Sequence, residues 1–172
     1  EKIFLAPIRL AVQPEVEDLF MPVEGTSHNI AIVGISKRYE GQAHKVAQSL
    51  WGAGQMMFNK YLVVASADDD IRSMKHLGRK LRRIDVTRDV IRAEGILDVL
   101  DHATATLGFG GKLAFDLTGV NAESEVAPIE VPRRAVPAGG VELFDTRYVA
   151  EYGLLILYAA VDRPLKVDGE QY

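Results

Sequence analysis

A lysine stands at the start of an apolar stretch, at a boundary where a positive charge can bind a ligand. Lys60 follows Met56-Met57-Phe58-Asn59 and directly precedes the apolar run Tyr61–Ala65. An ammonium group at such a boundary can hold a phosphate as a compact point charge. A lysine in solvent is the simpler interpretation, and the spacing alone leaves both open. The Met-Met-Phe residues before it are candidates for the core or for the wall of an apolar cleft.

The histidines do not have the spacing of a catalytic or metal site. His28 is interpreted as a loop residue and His44 as part of the polar face of a helix, and no His-x-x-His or Glu-x-x-His pattern is present. His102 follows Asp101, a pair that could belong to a proton relay. No Ser or Cys nucleophile with a supporting motif accompanies it. We therefore assign no catalytic and no metal-ligating residue from the sequence.

Two further segments have structural interpretations that outweigh the chemical ones. The run Asp68–Asp70 could bind a hard cation, but no further ligands follow at the spacing of a calcium loop. It is predicted to cap the next helix. The segment Gly108–Lys112 looks like a phosphate-binding loop, yet Leu113 takes the place of the required Ser or Thr. We interpret that segment as a tight turn into a strand.

The apolar pattern predicts an α/β fold. Runs that are apolar throughout are typical of strands covered on both faces of a sheet, and apolar residues at helical spacing predict one buried stripe on each helix. Strands alternating with helices favour a three-layer α/β/α sandwich with a largely parallel or mixed sheet. We predict strands at about 29–36, 60–65, 112–117 and 153–158, and helices at about 42–53 and 71–83.

The remaining segments give weaker signals of secondary structure. We assign the whole chain, 1–172, to a single domain. Prolines and a glycine pair without any period predict a long loop over 119–140. Shorter predictions are a strand before Pro22, a strand at Val90-Ile91, helical turns at 96–103 and a helix at 141–151. The buried stripe of the second long helix is predicted to comprise Met74, Leu77, Leu81 and Ile84.

Composition bounds the class of protein. The chain has 172 residues, of which 48% are apolar and 26% charged, so it can bury a core without disulfides. It has no cysteine, and no apolar run approaches the roughly 18 residues of a membrane span. A net charge of −4 gives no general attraction to nucleic acid, and we expect a cytoplasmic protein. Because the chain begins with Glu1, we expect it to be a piece of a longer protein.

In their order, several segments closely resemble the carboxyl-terminal part of the UbiD family, the prenylated-flavin-dependent decarboxylases of aromatic and unsaturated acids. The resemblance covers roughly 14–118 and departs from the family pattern at Ser66 and at Val86, where the family has an acidic residue and a proline. The matching segments are Glu-Gly-x-x-His-Asn at Glu24–Asn29, Leu50–Gly52, Met57–Lys60, Leu97–Ala103 and Gly111–Leu113.

The resemblance implies a division of labour. Such enzymes use prenylated FMN with manganese and potassium, and an arginine flanked by two glutamates does the acid–base work. Those groups belong to an upstream flavin-binding domain, so this chain alone is expected to be inactive. Lys60 matches the family lysine that reaches the cofactor phosphate. The chain would form a cleft wall and an assembly surface of a homo-oligomer.

The substrate class implied is an aromatic acid, such as a polyprenyl-hydroxybenzoate or a menaquinone-pathway acid. The alternative is a non-catalytic α/β binding or oligomerisation module, because a fold does not determine a function.

Overall fold

A five-stranded mixed sheet forms the centre of the fold. The structure, a computed structural model, describes residues 2–26, 28–121, 141–149, 154–161, 166–167 and 170–171. In chain order the elements are α1 (Lys2–Pro7) with a π-helical turn (Ile8–Val12), β1 (Val16–Phe20), a 3₁₀ turn (Val23–Gly25), β2 (Ile30–Ile35), α2 (Gln42–Trp51), a 3₁₀ helix (Gly54–Phe58), β3 (Tyr61–Ser66), α3 (Met74–Leu81), β4 (Val90–Ile96), β5 (Phe109–Asp116), β6 (Val141–Val149), β7 (Leu154–Val161), β8 (Lys166–Val167) and β9 (Glu170–Gln171).

The sheet has the strand order β1-β2-β3-β5-β4. The three central strands β2, β3 and β5 are parallel, and the two outer strands β1 and β4 run antiparallel to their neighbours. Ile30 pairs with Tyr61, and Tyr61 pairs with Leu113. The starts of β2 and β3 therefore lie at the same edge of the sheet, and β5 extends past them by its first residues.

Both faces of the sheet are covered, which confirms the predicted three layers. Alternate residues of each central strand point to opposite faces. One face packs against α2 and the amino-terminal helix, and the other packs against α3 and the chain that follows it. The first face contributes Ala31, Val33, Ile35, Leu62 and Val64 to its core, and the second contributes Ile32, Val63 and Ala65.

Helix α2 has the stripe that its sequence predicts. Its apolar residues are buried against the sheet, and Gly41, with φ of 81°, supplies the left-handed residue at its start.

Helix α3 corrects two predictions. Its amino-terminal cap is Ser73, whose side chain accepts the His76 N–H, so the predicted cap at Asp68–Asp70 is wrong. Leu77 is buried as predicted, but the Met74 side chain is 42% exposed. The helix starts later than the acidic run because the residues between them form turns.

Two predicted helices are absent from the described residues. The segment after β4 is held in turns, and the structure has strand β6 where a helix at 141–151 is predicted. The sequence of β6 is rich in β-branched and aromatic residues, which favour a strand. The predicted strand at 153–158 is β7, but it pairs antiparallel with β6 in a sheet of two strands. The predicted loop at 119–140 lies mostly outside the described residues.

In the part of the chain that the structure describes, no helix is long and apolar enough to cross a bilayer. Two short strands, β8 and β9, form a further antiparallel pair.

We expect the two apolar side chains of α3 to differ sharply in their contribution to stability. Leu77→Ala should lower the free energy of unfolding by about 2–5 kcal/mol, because it leaves a cavity under the sheet. Met74→Ala on the same helix should lower it by less than about 1 kcal/mol. Urea unfolding of both variants measures the difference, and equal losses would contradict the packing described for α3.

Candidate functional site

Three segments meet at the edge of the sheet where β2 and β3 begin. They are the loop before β2, the stretch 54–60 before β3, and the loop 97–108 that joins β4 to β5. Lys60 lies where these segments meet. Its backbone N–H donates to the Asn29 carbonyl at 3.1 Å, and its carbonyl accepts the Leu113 N–H at 3.0 Å. The position of Lys60 is thus set by β2 on one side and by β5 on the other.

The loop before β2 is shaped by a residue without a side chain. A Cβ on Gly25 would lie 2.7 Å from the Ile30 Cβ, a distance that side chains do not tolerate. The next residue, Thr26, has a φ of 48°, in the left-handed region. This tight path brings the His28 carbonyl to the side-chain amide of Asn59, which donates to it. The family-like Glu-Gly-x-x-His-Asn segment therefore packs directly on the residue before Lys60.

Lys60 forms an ion pair with Asp101. The distance between Lys60 Nζ and Asp101 Oδ2 is 2.8 Å, and the two side chains are 14% and 6% exposed. The interpretation of Lys60 as a lysine in solvent is therefore wrong. Burial raises the pKa of Asp101, but the Lys60 ammonium and the Ala103 N–H outweigh this effect and hold that pKa below its usual value.

A second basic residue lies at the same edge. His28 Nδ1 is 3.5 Å from Asp98 Oδ2, and the His28 ring meets Phe58 edge-on with 6.4 Å between centroids. Asp98 and Asp101 belong to one loop, so that loop is tied to the sheet edge at two points.

The same two aspartates explain why no helix forms at 96–103. Asp98 Oδ1 accepts the Leu100 N–H and Asp101 Oδ1 accepts the Ala103 N–H, each two residues along the chain. Such turns satisfy backbone donors locally and compete with helical hydrogen bonds. His102, proposed from the sequence as part of a relay with Asp101, is exposed. Its ring lowers the pKa of Asp101 only through its charge.

Lys112 is the residue of this region that sequence reasoning missed. Its side chain is 2% exposed, and Nζ donates to the carbonyl of Met57 at 2.7 Å and of Asn59 at 2.5 Å. Burial lowers the pKa of Lys112 to about 8. The predicted turn over Gly108–Lys112 is wrong for most of its length, because β5 already starts at Phe109 and only Gly108 of that segment lies in the turn. Lys112 shares a strand face with buried Ala114, and that two-residue period is the signal that could have placed it inside.

The other charged candidates hold the fold together. Asp69 Oδ2 is 2.5 Å from Lys80 Nζ, and its other oxygen is 2.7 Å from His76 Nε2, so the acidic run joins the end of β3 to α3. His44 is exposed on α2, on the polar face that the sequence predicts. Across the described residues, no group of three or more His, Cys, Asp or Glu side chains could hold a metal ion.

The comparison with protein families decides which group this chain belongs to. A model of the 3-octaprenyl-4-hydroxybenzoate carboxy-lyase C-terminal domain matches residues 1–117. The chain belongs to this UbiD family. The match begins earlier than the resemblance seen in the motifs, because it includes α1 and the π-helical turn.

A relative from another organism matches about two thirds of this chain. An uncharacterized protein of Aquifex aeolicus is 44% identical over 122 residues, which are 69% of this chain and 24% of that protein. The chain thus spans about a quarter of the length of the curated relatives it matches.

Two enzymes of known structure have the same fold. Vanillic acid decarboxylase of Sedimentibacter hydroxybenzoicus, in its open form, aligns with a TM-score of 0.60 and 22% identity over 74% of this chain and 28% of that one. The UbiD-class enzyme HmfF of Pelotomaculum thermopropionicum, in complex with FMN, aligns with a TM-score of 0.58 and 21% identity over 77% and 30%. An evolved dimeric form of HmfF in complex with prFMN aligns with a TM-score of 0.52 and 21% identity over 76% and 27%.

This UbiD-family domain has donors that fit a phosphate. The Lys60 ammonium lies at the sheet edge beside Asp101, and His28 lies at the same edge with its side chain 41% exposed. Ammonium and imidazole N–H groups are suitable partners for a phosphate dianion. The described residues do not fit a manganese site, because they bring no set of ligands together.

We expect the free energy of unfolding of the domain to depend on pH through the titration of Lys112. Its pKa of about 8 lies below the value of 10.5 for an exposed lysine, so above pH 8 the unfolded chain binds more protons than the folded one. The stability contributed by Lys112 therefore rises as the pH rises from about 8 to 10.5, and it is constant below pH 8, where the lysine is protonated in both states.

The measurement is urea unfolding of wild type and Lys112→Met from pH 7 to pH 10. The wild type should gain about 2–3 kcal/mol relative to the variant over this range, since one pH unit of pKa difference corresponds to about 1.4 kcal/mol. Parallel pH profiles would contradict a buried, charged Lys112.

Proposed function

We propose that this chain is the carboxyl-terminal domain of a UbiD-like decarboxylase of aromatic or unsaturated acids, and that Lys60 contacts the phosphate of its prenylated FMN. The observation that carries the proposal is that the separate family-like segments converge on Lys60. Asn29 and Leu113 bond its backbone, and Asp101 pairs with its ammonium. Both neighbouring strands thus hold the backbone of Lys60, and the loop 97–108 holds its ammonium at this edge.

The residues of this chain would bind and orient rather than react. The prenylated flavin supplies the electron-accepting ring system for decarboxylation. Lys60 would hold the cofactor phosphate, and Asp101 would keep the ammonium at its place at the sheet edge. His28 would add a second N–H donor beside Phe58.

An apolar rim beside this edge suits a wall of a cleft. Met57 and Phe58 are half-buried, whereas the side chains of Val99 and Leu100 are exposed. Met56 belongs to the core and is no part of that wall. Apolar groups left in water next to charged ones are typical of surfaces that contact a ligand or another domain.

The remaining parts of the proposal concern the longer protein. Manganese and potassium would be bound mainly by the upstream domain, together with the aromatic acid. The longer protein would be a cytoplasmic homo-oligomer, with a role in ubiquinone or menaquinone biosynthesis.

One observation favours the alternative, a non-catalytic binding or oligomerisation module. Lys60 already has a carboxylate partner, so its charge is balanced without any phosphate. In that case Lys60 would serve only stability. The two functions are separated by changing the lysine alone and then the lysine together with its partner.

We expect Lys60→Met in the full-length protein to weaken binding of prenylated FMN about 10- to 150-fold. The variant loses a charge-assisted hydrogen bond worth roughly 1.5–3 kcal/mol. Lys60→Arg should retain part of the affinity, because a planar fork replaces a compact point charge imperfectly. Lys75→Met, on the exposed surface of α3, is the matched control and should bind like wild type.

The double variant Lys60→Met/Asp101→Asn distinguishes binding from stability. Lys60→Met alone leaves a buried carboxylate without its partner and should lower the unfolding temperature. The double variant, which lacks both charges, should regain much of the lost unfolding temperature. Its affinity for prenylated FMN should stay low. Wild-type affinity in the folded double variant would leave Lys60 with a structural role only.

We expect the 172-residue chain alone to be catalytically silent. The described residues provide neither a set of metal ligands nor an assigned acid–base group. Incubation with prenylated FMN, manganese and a panel of aromatic acids should release no carbon dioxide above background, with the full-length protein as positive control. Turnover by the isolated chain would contradict the proposed division of labour.

A further inference from the structure

Lys112 reaches from β5 to the backbone that precedes Lys60. We propose that Lys112 is the positioning residue for Lys60: its buried ammonium holds the carbonyls of Met57 and Asn59 and so fixes the direction in which Lys60 leaves the start of β3. The two lysines do not act on the same group. Lys60 faces the site, and Lys112 fixes the backbone that carries it.

The argument rests on a single peptide unit. The Asn59 carbonyl and the Lys60 N–H belong to the same planar peptide bond. The carbonyl accepts from Lys112 Nζ at 2.5 Å, and the N–H donates to the Asn29 carbonyl at 3.1 Å. Hydrogen bonds on both sides of a rigid plane fix its rotation. That rotation in turn sets where the Cα–Cβ bond of Lys60 points.

The second carbonyl fixes the segment over a longer stretch. Met57 lies three residues before Lys60, and its carbonyl accepts from the same Nζ at 2.7 Å. The Asn59 N–H closes the preceding turn by donating to the Met56 carbonyl at 3.1 Å. The ammonium therefore joins the end of the 3₁₀ helix to the start of β3, where the chain changes direction.

The surroundings of Lys112 explain why a lysine does this work. Nζ lies 5.8 Å from the centre of the Trp51 ring, within range of a cation–π interaction. In the described part of the chain, no carboxylate forms an ion pair with it. Burying an ammonium without a counter-ion costs more free energy than burying an apolar side chain of equal size. Hydrogen bonds to buried carbonyl groups offset part of that cost. The bonds it makes are those to the segment before Lys60.

The pair Lys60–Asp101 reports on this positioning within the chain itself. The Lys60 ammonium is a main cause of the low pKa of Asp101. If Lys60 moves away, that pKa must rise, whatever ligand the site binds. The consequence for cofactor binding rests on the proposed phosphate contact of Lys60, whereas the consequence for Asp101 does not.

The experiment measures the carboxyl pKa of Asp101 by ¹³C NMR in the full 172-residue chain. Lys60→Met defines the complete loss of the contact, and should raise this pKa by about 1 unit or more. Lys112→Met should raise it by about half a unit or more, with the fold retained by circular dichroism. In the double variant Lys60→Met/Lys112→Met, the pKa should equal that of Lys60→Met alone, because Lys112 acts through Lys60.

A second variant moves the Lys112 side chain while keeping its charge. A Cβ at Gly95 would lie 3.0 Å from Lys112 Cε and 3.5 Å from Cδ, so Gly95→Ala must displace the stem by a few tenths of an ångström. It should raise the Asp101 pKa in the same direction by a smaller amount. Gly34→Ala in β2 is the matched control, since its Cβ would meet no atom closer than 3.6 Å, and it should leave the pKa unchanged.

The outcomes separate this inference from the proposed function. If Asp101 responds as expected while flavin affinity is insensitive to Lys60, Lys112 positions Lys60 and the phosphate contact is refuted. If Lys112→Met shifts the pKa equally with and without Lys60, its charge acts directly on Asp101 and the inference is overturned. It is also overturned if Gly95→Ala and every folded Lys112 variant leave the pKa at its wild-type value. Should Lys112→Met not fold, Gly95→Ala decides.

Discussion

The in-register parallel pairing of β2 with β3 is the constraint on which the candidate site depends. Because Ile30 lies opposite Tyr61, the two strands begin at the same level, and the segments that lead into them must meet there. The Asn29 carbonyl accepts the N–H groups of both Lys60 and Tyr61, which extends the ladder by one residue beyond the strands. A shift of one residue in this pairing would turn every side chain to the other face and separate the site.

Three buried or nearly buried lysines show how differently the fold accommodates a positive charge. Lys60 and Lys80 each pair with a carboxylate, Asp101 at one edge of the sheet and Asp69 near the other. Lys112 has only carbonyl oxygens and an aromatic ring around it. The paired lysines hold separate elements together by charge, whereas Lys112 organises backbone. An ammonium with three donors suits that purpose, because its hydrogen bonds can diverge.

Sequence reasoning succeeded where one period dominates. The strands β2 and β3 are apolar throughout and α2 has a single apolar stripe, and burial against the neighbouring layers leaves few alternatives for them. It failed where side chains compete with the backbone: Asp98 and Asp101 form local turns in place of the predicted helical turns, and Ser73 caps α3 in place of the acidic run. Met74 fits the helical spacing but lies at the first turn, where the stripe faces water.

The site itself was predicted from the sequence only in part. The resemblance singled out Lys60 and the segments around it, and the structure brings those segments together. Neither the partner of Lys60 nor the buried contact of Lys112 follows from spacing. Both join residues that are 41 or more positions apart in the chain and become neighbours only through the order of the strands.

The loop 97–108 separates the residues that anchor it from those that face outward. The carboxylates of Asp98 and Asp101 accept backbone N–H groups and so fix the conformation of the loop. The side chains of Val99 and Leu100, which lie between them, are exposed to water. Substitutions at these two positions therefore cost the fold little. The tip of the loop can therefore accept other side chains while its anchors stay fixed, so the character of this surface can be changed without rebuilding the domain.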